Sequence, residues 1–147
     1  MSEFRGTWTA EAVETFLDET TIPVRLATTR PDESMWIVTL WFRYHDGHLE
    51  CATHEQAALV RFLRNNPEVA FDISTNQIPY RGIRGNGVAT ISADPEKRVL
   101  RDLIQRYLGG TDSSLAKWLL SEQRSEVCIR IDMDEVYSWD YSDRMNR

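Results

Sequence analysis

Apolar residues near the start of the chain follow the spacing of a helix. Val13, Phe16 and Leu17 fall on one face of a stretch over residues 10–19, because positions three or four apart share a helix face. Thr9 precedes this stretch and can accept a hydrogen bond from its first turn. The pattern therefore predicts a helix over residues 10–19.

The part of the chain that follows is rich in β-branched and aromatic residues, which is typical of strands. Asp46-Gly47 separates two of these runs and predicts a tight hairpin. Gly85 and Gly87 lie inside a later run and indicate a bulge or the close approach of a ligand or another backbone. Strands are predicted over residues 24–29, 35–44, 49–53, 69–74, 83–92, 127–132 and 136–141.

Further helices are predicted between the strands. A stripe of apolar residues predicts a helix over residues 55–66, and Asp94-Pro95 is typical of a helix start. Asp112 is expected to cap a short helix after that one. Because tight turns rather than helical crossovers join most strands, the sequence predicts an antiparallel sheet or small barrel with helices packed outside it. This fold is of the α+β or mainly β class.

Composition adds few constraints. The 147 residues predict one domain, 1–147, and 41% hydrophobic with 27% charged residues is ordinary for a globular protein. A net charge of −6 argues against nucleic-acid binding and against a membrane-surface role. With no leader-like start and no long apolar run, we expect a cytoplasmic location. Cys51 and Cys128 lie in strand runs and are expected to be buried, reduced thiols.

Several segments, in order, resemble the pyridoxamine 5'-phosphate oxidase-like flavin-binding proteins. They are residues 25–32, 38–42, 49–53, 60–67, 81–89 and 136–140, and the resemblance runs over residues 8–141. It implies a six-stranded antiparallel split β-barrel with peripheral helices that forms a homodimer. It also implies FMN, or in some branches a deazaflavin, in a groove between the subunits.

The resemblance also implies site residues. A strand holding Val38, Thr39, Leu40 and Trp41 would run past the flavin ring. Ala52, Thr53, Gln56 and Arg61 would serve the phosphate, while Arg81 and Trp139 would approach from elsewhere, often from the second subunit. Arg84 lies on the same glycine-bearing strand as Arg81 and is a further candidate for contact with an anion or the cofactor edge. For the arginines a solvated surface position is the alternative, and for the tryptophans it is core or interface packing.

Two positions depart from the family pattern. The family commonly places a serine or threonine and a lysine where this chain has Ala57 and Leu59. The missing cation alone removes a contact of ~1.5–3 kcal/mol. Gln56, Arg61 or Arg81 could compensate, and the alternatives are weak flavin binding, another cofactor or none.

Three functions follow from these observations. The first is a flavin-dependent oxidoreductase that moves a hydride to or from an unidentified small molecule, with the cofactor carrying the chemistry. The second is a non-catalytic, stress-associated module that binds flavin or haem, for which His54 is the only hint of haem. The third is a dimer with a decayed cofactor site. No spacing of the HExxH type predicts a metal site, and no nucleophile–base pair stands out.

Overall fold

The computed structural model describes residues 2–145, which form eight strands and five helices in an α+β arrangement. The strands are β1 (Glu3–Gly6), β2 (Val24–Thr29), β3 (Met35–Leu40), β4 (Arg43–His45), β5 (His48–His54), β6 (Glu68–Ser74), β7 (Arg81–Ala93) and β8 (Glu126–Asp140). The helices are α1 (Ala10–Glu19), α2 (Ala58–Asn65), α3 (Arg98–Leu108), α4 (Ser114–Leu119) and α5 (Ser142–Met145).

All eight strands belong to one sheet, with the order β3-β2-β6-β7-β8-β5-β4. The neighbours in this order pair antiparallel, as predicted, and β1 adds a parallel pairing along β8. The two end strands, β3 and β4, are consecutive in the chain and are separated only by Trp41 and Phe42. This short link brings the two ends of the sheet together as a barrel.

Eight strands replace the six that the resemblance implies, and they differ from the seven runs predicted from the sequence in three ways. Residues 35–44 do not form one strand, because the run breaks at Trp41 and Phe42. The polar segment Glu3–Gly6 pairs through its backbone with the second half of β8, a contact that side-chain pattern does not reveal. Residues 127–132 and 136–140 are parts of the single strand β8, which ends one residue before the predicted bound.

The glycines of β7 do mark the irregularity that was predicted. The register between β7 and β8 shifts between Asn86 and Gly87, which is the signature of a bulge. At Gly85 a side chain would overlap the backbone carbonyl oxygen of Glu135 on the neighbouring strand. Only glycine therefore allows this close approach of the two strands.

The core lies inside the barrel and beneath α1 and α2. Its fully buried side chains come from alternate positions of the strands, together with Val13 and Leu17 of α1. Cys51 belongs to this core, Cys128 lies outside it under α3, and both are buried free thiols, as expected. Among residues 2–145, no helix has the length and apolarity that a membrane crossing requires.

Three helix starts differ from prediction. Helix α2 begins at Ala58 rather than at residue 55, and its N-cap is Ala57. Helix α3 begins at Arg98 rather than just after Asp94-Pro95, because Lys97 takes a left-handed conformation with φ of 57°. Asp94 still caps the helix, since its carboxylate accepts hydrogen bonds from the backbone N–H groups of Arg98 (3.0 Å) and Val99 (3.2 Å). Helix α4 is capped by Ser113 and not by Asp112.

Candidate functional site

A cavity of about 280 Å³ lies on the outer side of the barrel wall, beneath helices α3 and α4. Strands β3 and β5 form its floor and the two helices form its roof. Its lining consists of Thr39, Leu40, Trp41, Ala52, Thr53, Leu100, Leu103, Leu115, Leu119, Arg124 and Glu126. We call it the helix-covered cavity.

Strand alternation decides which side chains of β5 reach this cavity. Neighbouring residues of a strand point to opposite faces. Cys51 therefore enters the barrel core, while Ala52 packs outward against α3 and Thr53 lies at the end of the strand. The side chain of Ala52 is small, so it leaves space between the sheet and the helix.

The roof consists of leucines at helical spacing. Leu100 and Leu103 of α3 are almost fully buried, with 4% and 1% exposure. Leu115 and Leu119 of α4 lie four residues apart and close the other side. The cavity is therefore apolar over most of its surface.

Trp41 forms one wall and is fixed by Tyr107. The two rings stack with centroids 5.2 Å apart and planes inclined by 8°. The hydroxyl of Tyr107 accepts a hydrogen bond from the backbone N–H of Phe42 at 3.2 Å and lies 3.2 Å from the carbonyl oxygen of Ile22. Burial raises the pKa of this phenol, so it remains protonated. One face of Trp41 is thus already covered, and only the other face can contact a ligand.

The polar end of the cavity carries a paired arginine and glutamate. Arg124 Nε donates to Glu126 Oε1 at 2.8 Å, and the guanidinium also lies 4.5 Å from the ring centre of Trp118. The side chain of Glu126 is only 1% exposed. Its second oxygen, Oε2, is buried and has no hydrogen-bond partner among residues 2–145.

The expected phosphate end lies where β5 leads into α2. Within the described residues, no side chain caps this helix, whose N-cap is Ala57. Gln56 is exposed and its backbone N–H donates to His54 Nδ1 at 3.1 Å, while Arg61 is exposed on α2. Leu59 is 5% exposed and belongs to the core, so a side chain at this position faces inward.

The remaining predicted residues lie elsewhere. Val38 packs against the barrel core, and the guanidinium of Arg84 lies 4.7 Å from the ring centre of Tyr137. Arg81 is exposed opposite Asp140 in the sheet. The ring of Trp139 lies 4.9 Å from that of Tyr141, and its buried indole nitrogen has no partner within residues 2–145.

Of the eleven predicted residues, the helix-covered cavity thus brings together five: Thr39, Leu40, Trp41, Ala52 and Thr53. Sequence reasoning missed Arg124 and Glu126 as well as the four leucines. The leucines could have been found as the apolar stripes of two predicted helices. Glu126 carried a weaker signal, namely a carboxylate that directly precedes the apolar run of β8.

A second, larger cavity of about 670 Å³ lies on the outer face of the sheet. Its centre is a row of paired residues that crosses four strands, with Ile37, Ala27, Ala70 and Asn86 in successive register. Ile37 is 69% exposed and Tyr137 is 43% exposed. Because these two large apolar side chains are exposed beside one cavity, this face is a candidate interface.

Titratable groups near the two sites offer little reactive chemistry. Burial raises the pKa of the Cys128 thiol to about 12, and burial also raises the pKa of Cys51. Neither thiol is therefore an activated nucleophile at neutral pH. Within residues 2–145, no group of three histidine, cysteine or acidic side chains is placed to hold a metal ion.

Comparison of the sequence with known protein families and with curated proteins finds no match. Solved structures do match. The conserved hypothetical protein Rv2991 from Mycobacterium tuberculosis has a TM-score of 0.77 at 23% identity, covering 96% of this chain and 90% of its own. A structure described as an F420 reductase has a TM-score of 0.73 at 24% identity. This match covers 87% of this chain and 98% of the F420 reductase chain.

A third match is a Listeria innocua protein assigned as a pyridoxamine 5'-phosphate oxidase, with a TM-score of 0.66 at 17% identity. The match covers 87% of this chain and 95% of the Listeria chain. These likenesses extend over nearly the whole length of both partners in each comparison. They also agree with the closed order of the strands and with the helices packed outside the sheet. The chain therefore has the split-barrel fold of the pyridoxamine 5'-phosphate oxidase-like proteins.

Proposed function

We propose that this protein is a homodimeric oxidoreductase that binds a flavin-type cofactor, FMN or a deazaflavin, beside the helix-covered cavity. The observation that carries the proposal is the convergence of Thr39, Leu40, Trp41, Ala52 and Thr53 on that cavity. Their roles beside a flavin follow from the family resemblance. The likeness to an F420 reductase and to an assigned pyridoxamine 5'-phosphate oxidase supports a cofactor of this class.

The residues that line the helix-covered cavity fit the ring of a flavin. Sites that enclose a drug-sized ligand span ~300–1,000 Å³, so a cavity of about 280 Å³ holds less than a whole flavin. The ring would lie along the outer edge of β3, with the hydroxyl of Thr39 as a hydrogen-bond partner. A bound flavin supplies a hydride acceptor or donor. The chain supplies orientation and an apolar wall that excludes water.

The phosphate end fits less well. Thr53 and the uncapped N-terminal turn of α2 can donate hydrogen bonds to a phosphate. The cation that the family commonly provides is replaced by the buried Leu59. We therefore expect weaker FMN binding than in a site with lysine, by roughly tenfold to a hundredfold.

The second copy is proposed to cover the outer face of the sheet. A two-fold interface pairs a patch with itself. This face joins exposed apolar residues such as Ile37 to charges of both signs, including Arg84 and Glu135, so it can be complementary to itself. The arrangement would place Arg84 near the groove between the subunits.

The first experiment is a visible spectrum of the purified protein, followed by fluorescence titration with FMN, FAD and F420. We expect bound flavin or binding of one added flavin, and reduction of that flavin by a nicotinamide cofactor indicates turnover. A Soret band would identify haem instead. A colourless protein that does not quench the fluorescence of any of the three flavins would contradict the proposal and favour a decayed site.

Matched variants then locate the cofactor. Thr53→Val should weaken flavin binding about tenfold, because it removes a hydroxyl donor at the phosphate end. Thr90→Val, on an exposed position of β7, serves as the control and should leave the dissociation constant unchanged. Equal effects of the two variants would place the flavin elsewhere.

The dimer is tested separately by light scattering. Ile37→Arg should convert the dimer to a monomer, because it places a charge at the centre of the proposed interface. Leu108→Arg, on a 38% exposed residue of α3, should leave the dimer intact. A monomeric wild-type protein would contradict this part of the proposal.

A further inference from the structure

We propose that the helix-covered cavity binds a small apolar molecule that ends in an amino group, and that the buried carboxylate of Glu126 is its hydrogen-bond acceptor. The cavity adjoins the strand that we assign to the flavin ring. Its role as the substrate subsite of the oxidoreductase therefore rests on the proposed function. The binding site itself stands on the geometry of the chain.

The first observation is the state of Glu126. Its side chain is 1% exposed, and Oε2 has no partner among residues 2–145 although Oε1 is paired with Arg124. A buried carboxylate oxygen without a hydrogen-bond partner destabilises the folded protein. A ligand that donates a hydrogen bond to this oxygen removes that destabilisation.

The second observation is the chemistry of the neighbouring groups. Arg124 is already engaged, since it donates to Glu126 Oε1 and lies against the ring of Trp118. An anionic ligand would therefore meet a free carboxylate oxygen and no free cation. An amino group, in contrast, can donate a hydrogen bond to Oε2.

The third observation is the shape and polarity of the remaining wall. Four leucines, Ala52 and the open face of Trp41 form an apolar surface, so the rest of the ligand must be apolar. The volume of about 280 Å³ admits a molecule smaller than a typical drug. A short alkyl or cyclic amine has this combination of size and polarity.

The test measures the affinity of three probes for the purified protein by calorimetry: hexylamine, hexanol and hexanoate. We expect hexylamine to bind at least tenfold more tightly than hexanol, and hexanoate more weakly than either. Equal binding of the amine and the alcohol would overturn the inference. That result would mean that a water molecule, and not a ligand, satisfies Glu126 Oε2.

Glu126→Gln keeps the volume of the side chain and removes its charge. In this variant the preference for the amine should fall below threefold, whereas Glu122→Gln, on an exposed residue four positions earlier, should retain it. If Glu126→Gln does not fold, Leu115→Trp provides the second variant, since it fills the cavity from the 45% exposed Leu115. It should weaken the binding of hexylamine at least tenfold, and unchanged binding would overturn the inference.

The two proposals fail separately. Flavin binding without a preference for the amine overturns the inference and leaves the proposed function standing. A preference for the amine without any flavin binding overturns the proposed function and, with it, the role of the cavity as a redox substrate subsite.

Discussion

The indole of Trp41 lies parallel to the phenol of Tyr107, with 5.2 Å between the ring centres. Trp41 occupies the link between β3 and β4, and Tyr107 belongs to the last turn of α3. This contact ties the helix that roofs the cavity to the point where the two ends of the sheet meet. A change in either ring therefore affects both the barrel and the candidate site.

The first prediction concerns the hydroxyl of Tyr107. Tyr107→Phe leaves the backbone N–H of Phe42 without its acceptor, so we expect a loss of ~1–3 kcal/mol in the free energy of unfolding. Flavin affinity should fall as well, because the position of Trp41 is less well defined. Urea denaturation and flavin titration provide the two measurements. Tyr80→Phe, at an exposed tyrosine, is the control and should change neither quantity.

The second prediction concerns the cap of α3. Asp94→Ala removes the acceptor for the N–H groups of Arg98 and Val99, and this should cost ~1–2 kcal/mol of stability. Glu96→Ala, in the same loop, removes only an exposed ion pair with Arg98 and should cost less than about 0.5 kcal/mol. Thermal unfolding of the two variants makes the comparison. Equal losses would show that Asp94 does not stabilise the helix start.

The third prediction concerns the close approach of β7 and β8. Gly85→Ala places a methyl group where the carbonyl oxygen of Glu135 lies. We expect a loss of roughly 3 kcal/mol or more, because backbone atoms on the neighbouring strand must move. Gly110→Ala is the matched control, since a methyl group there meets no atom within 4 Å. Similar midpoints in denaturant for the two variants would rule out the steric explanation.

The fourth prediction concerns the departure from the family pattern. Leu59→Lys restores the residue type common in the family, but the side chain is 5% exposed and faces the core. We expect a loss of at least ~3 kcal/mol in stability and no gain in FMN affinity. Gln56→Lys places the same charge on an exposed residue before α2. It should increase affinity for FMN more than for riboflavin, which lacks the phosphate. A stable Leu59→Lys variant that binds FMN more tightly would contradict this account.

The fifth prediction is a decrease in stability at alkaline pH. Burial raises the pKa values of Cys51 and Cys128, whereas thiols in the unfolded chain ionise near pH 9. Above pH 9 the unfolded state releases protons that the native state retains, so stability falls by up to about 1.4 kcal/mol per thiol for each pH unit. Urea denaturation at pH 7, 9 and 10 measures the slope. Replacing both cysteines with alanine should make the slope shallower, and an unchanged slope would assign the effect to other groups.

The fold was largely predictable because its signals are local. Helix α1 has the predicted bounds. Strands β4 and β5 pair around Asp46-Gly47, a dipeptide that is typical of hairpin turns. The break in the strand at Trp41 and Phe42 was not predicted. It depends on the hydrogen bond from the backbone N–H of Phe42 to the hydroxyl of Tyr107, which lies 65 residues later in the sequence. Strand β1 was missed because its stabilising contacts are backbone pairs with β8.

The candidate site was predictable only in part. The family resemblance, rather than the strand pattern, identified Thr39 and Ala52 as site residues, and both line the helix-covered cavity. The paired Arg124 and Glu126 depend on the packing of α3 and α4 over the outer wall, which no local pattern specifies. The buried orientation of Leu59 likewise follows from how α2 docks on the barrel rather than from its amphipathic pattern alone.

Strand β8 pairs with strands that begin at Glu3, His48 and Arg81, all of which precede it in the chain. During translation the segments that precede β8 therefore leave the ribosome without the strand that joins them. Their exposed edges stay unpaired until β8 has been synthesised, and such edges are prone to pair with other chains. Ribosomes that stall before β8 is complete would accordingly release an open, aggregation-prone sheet.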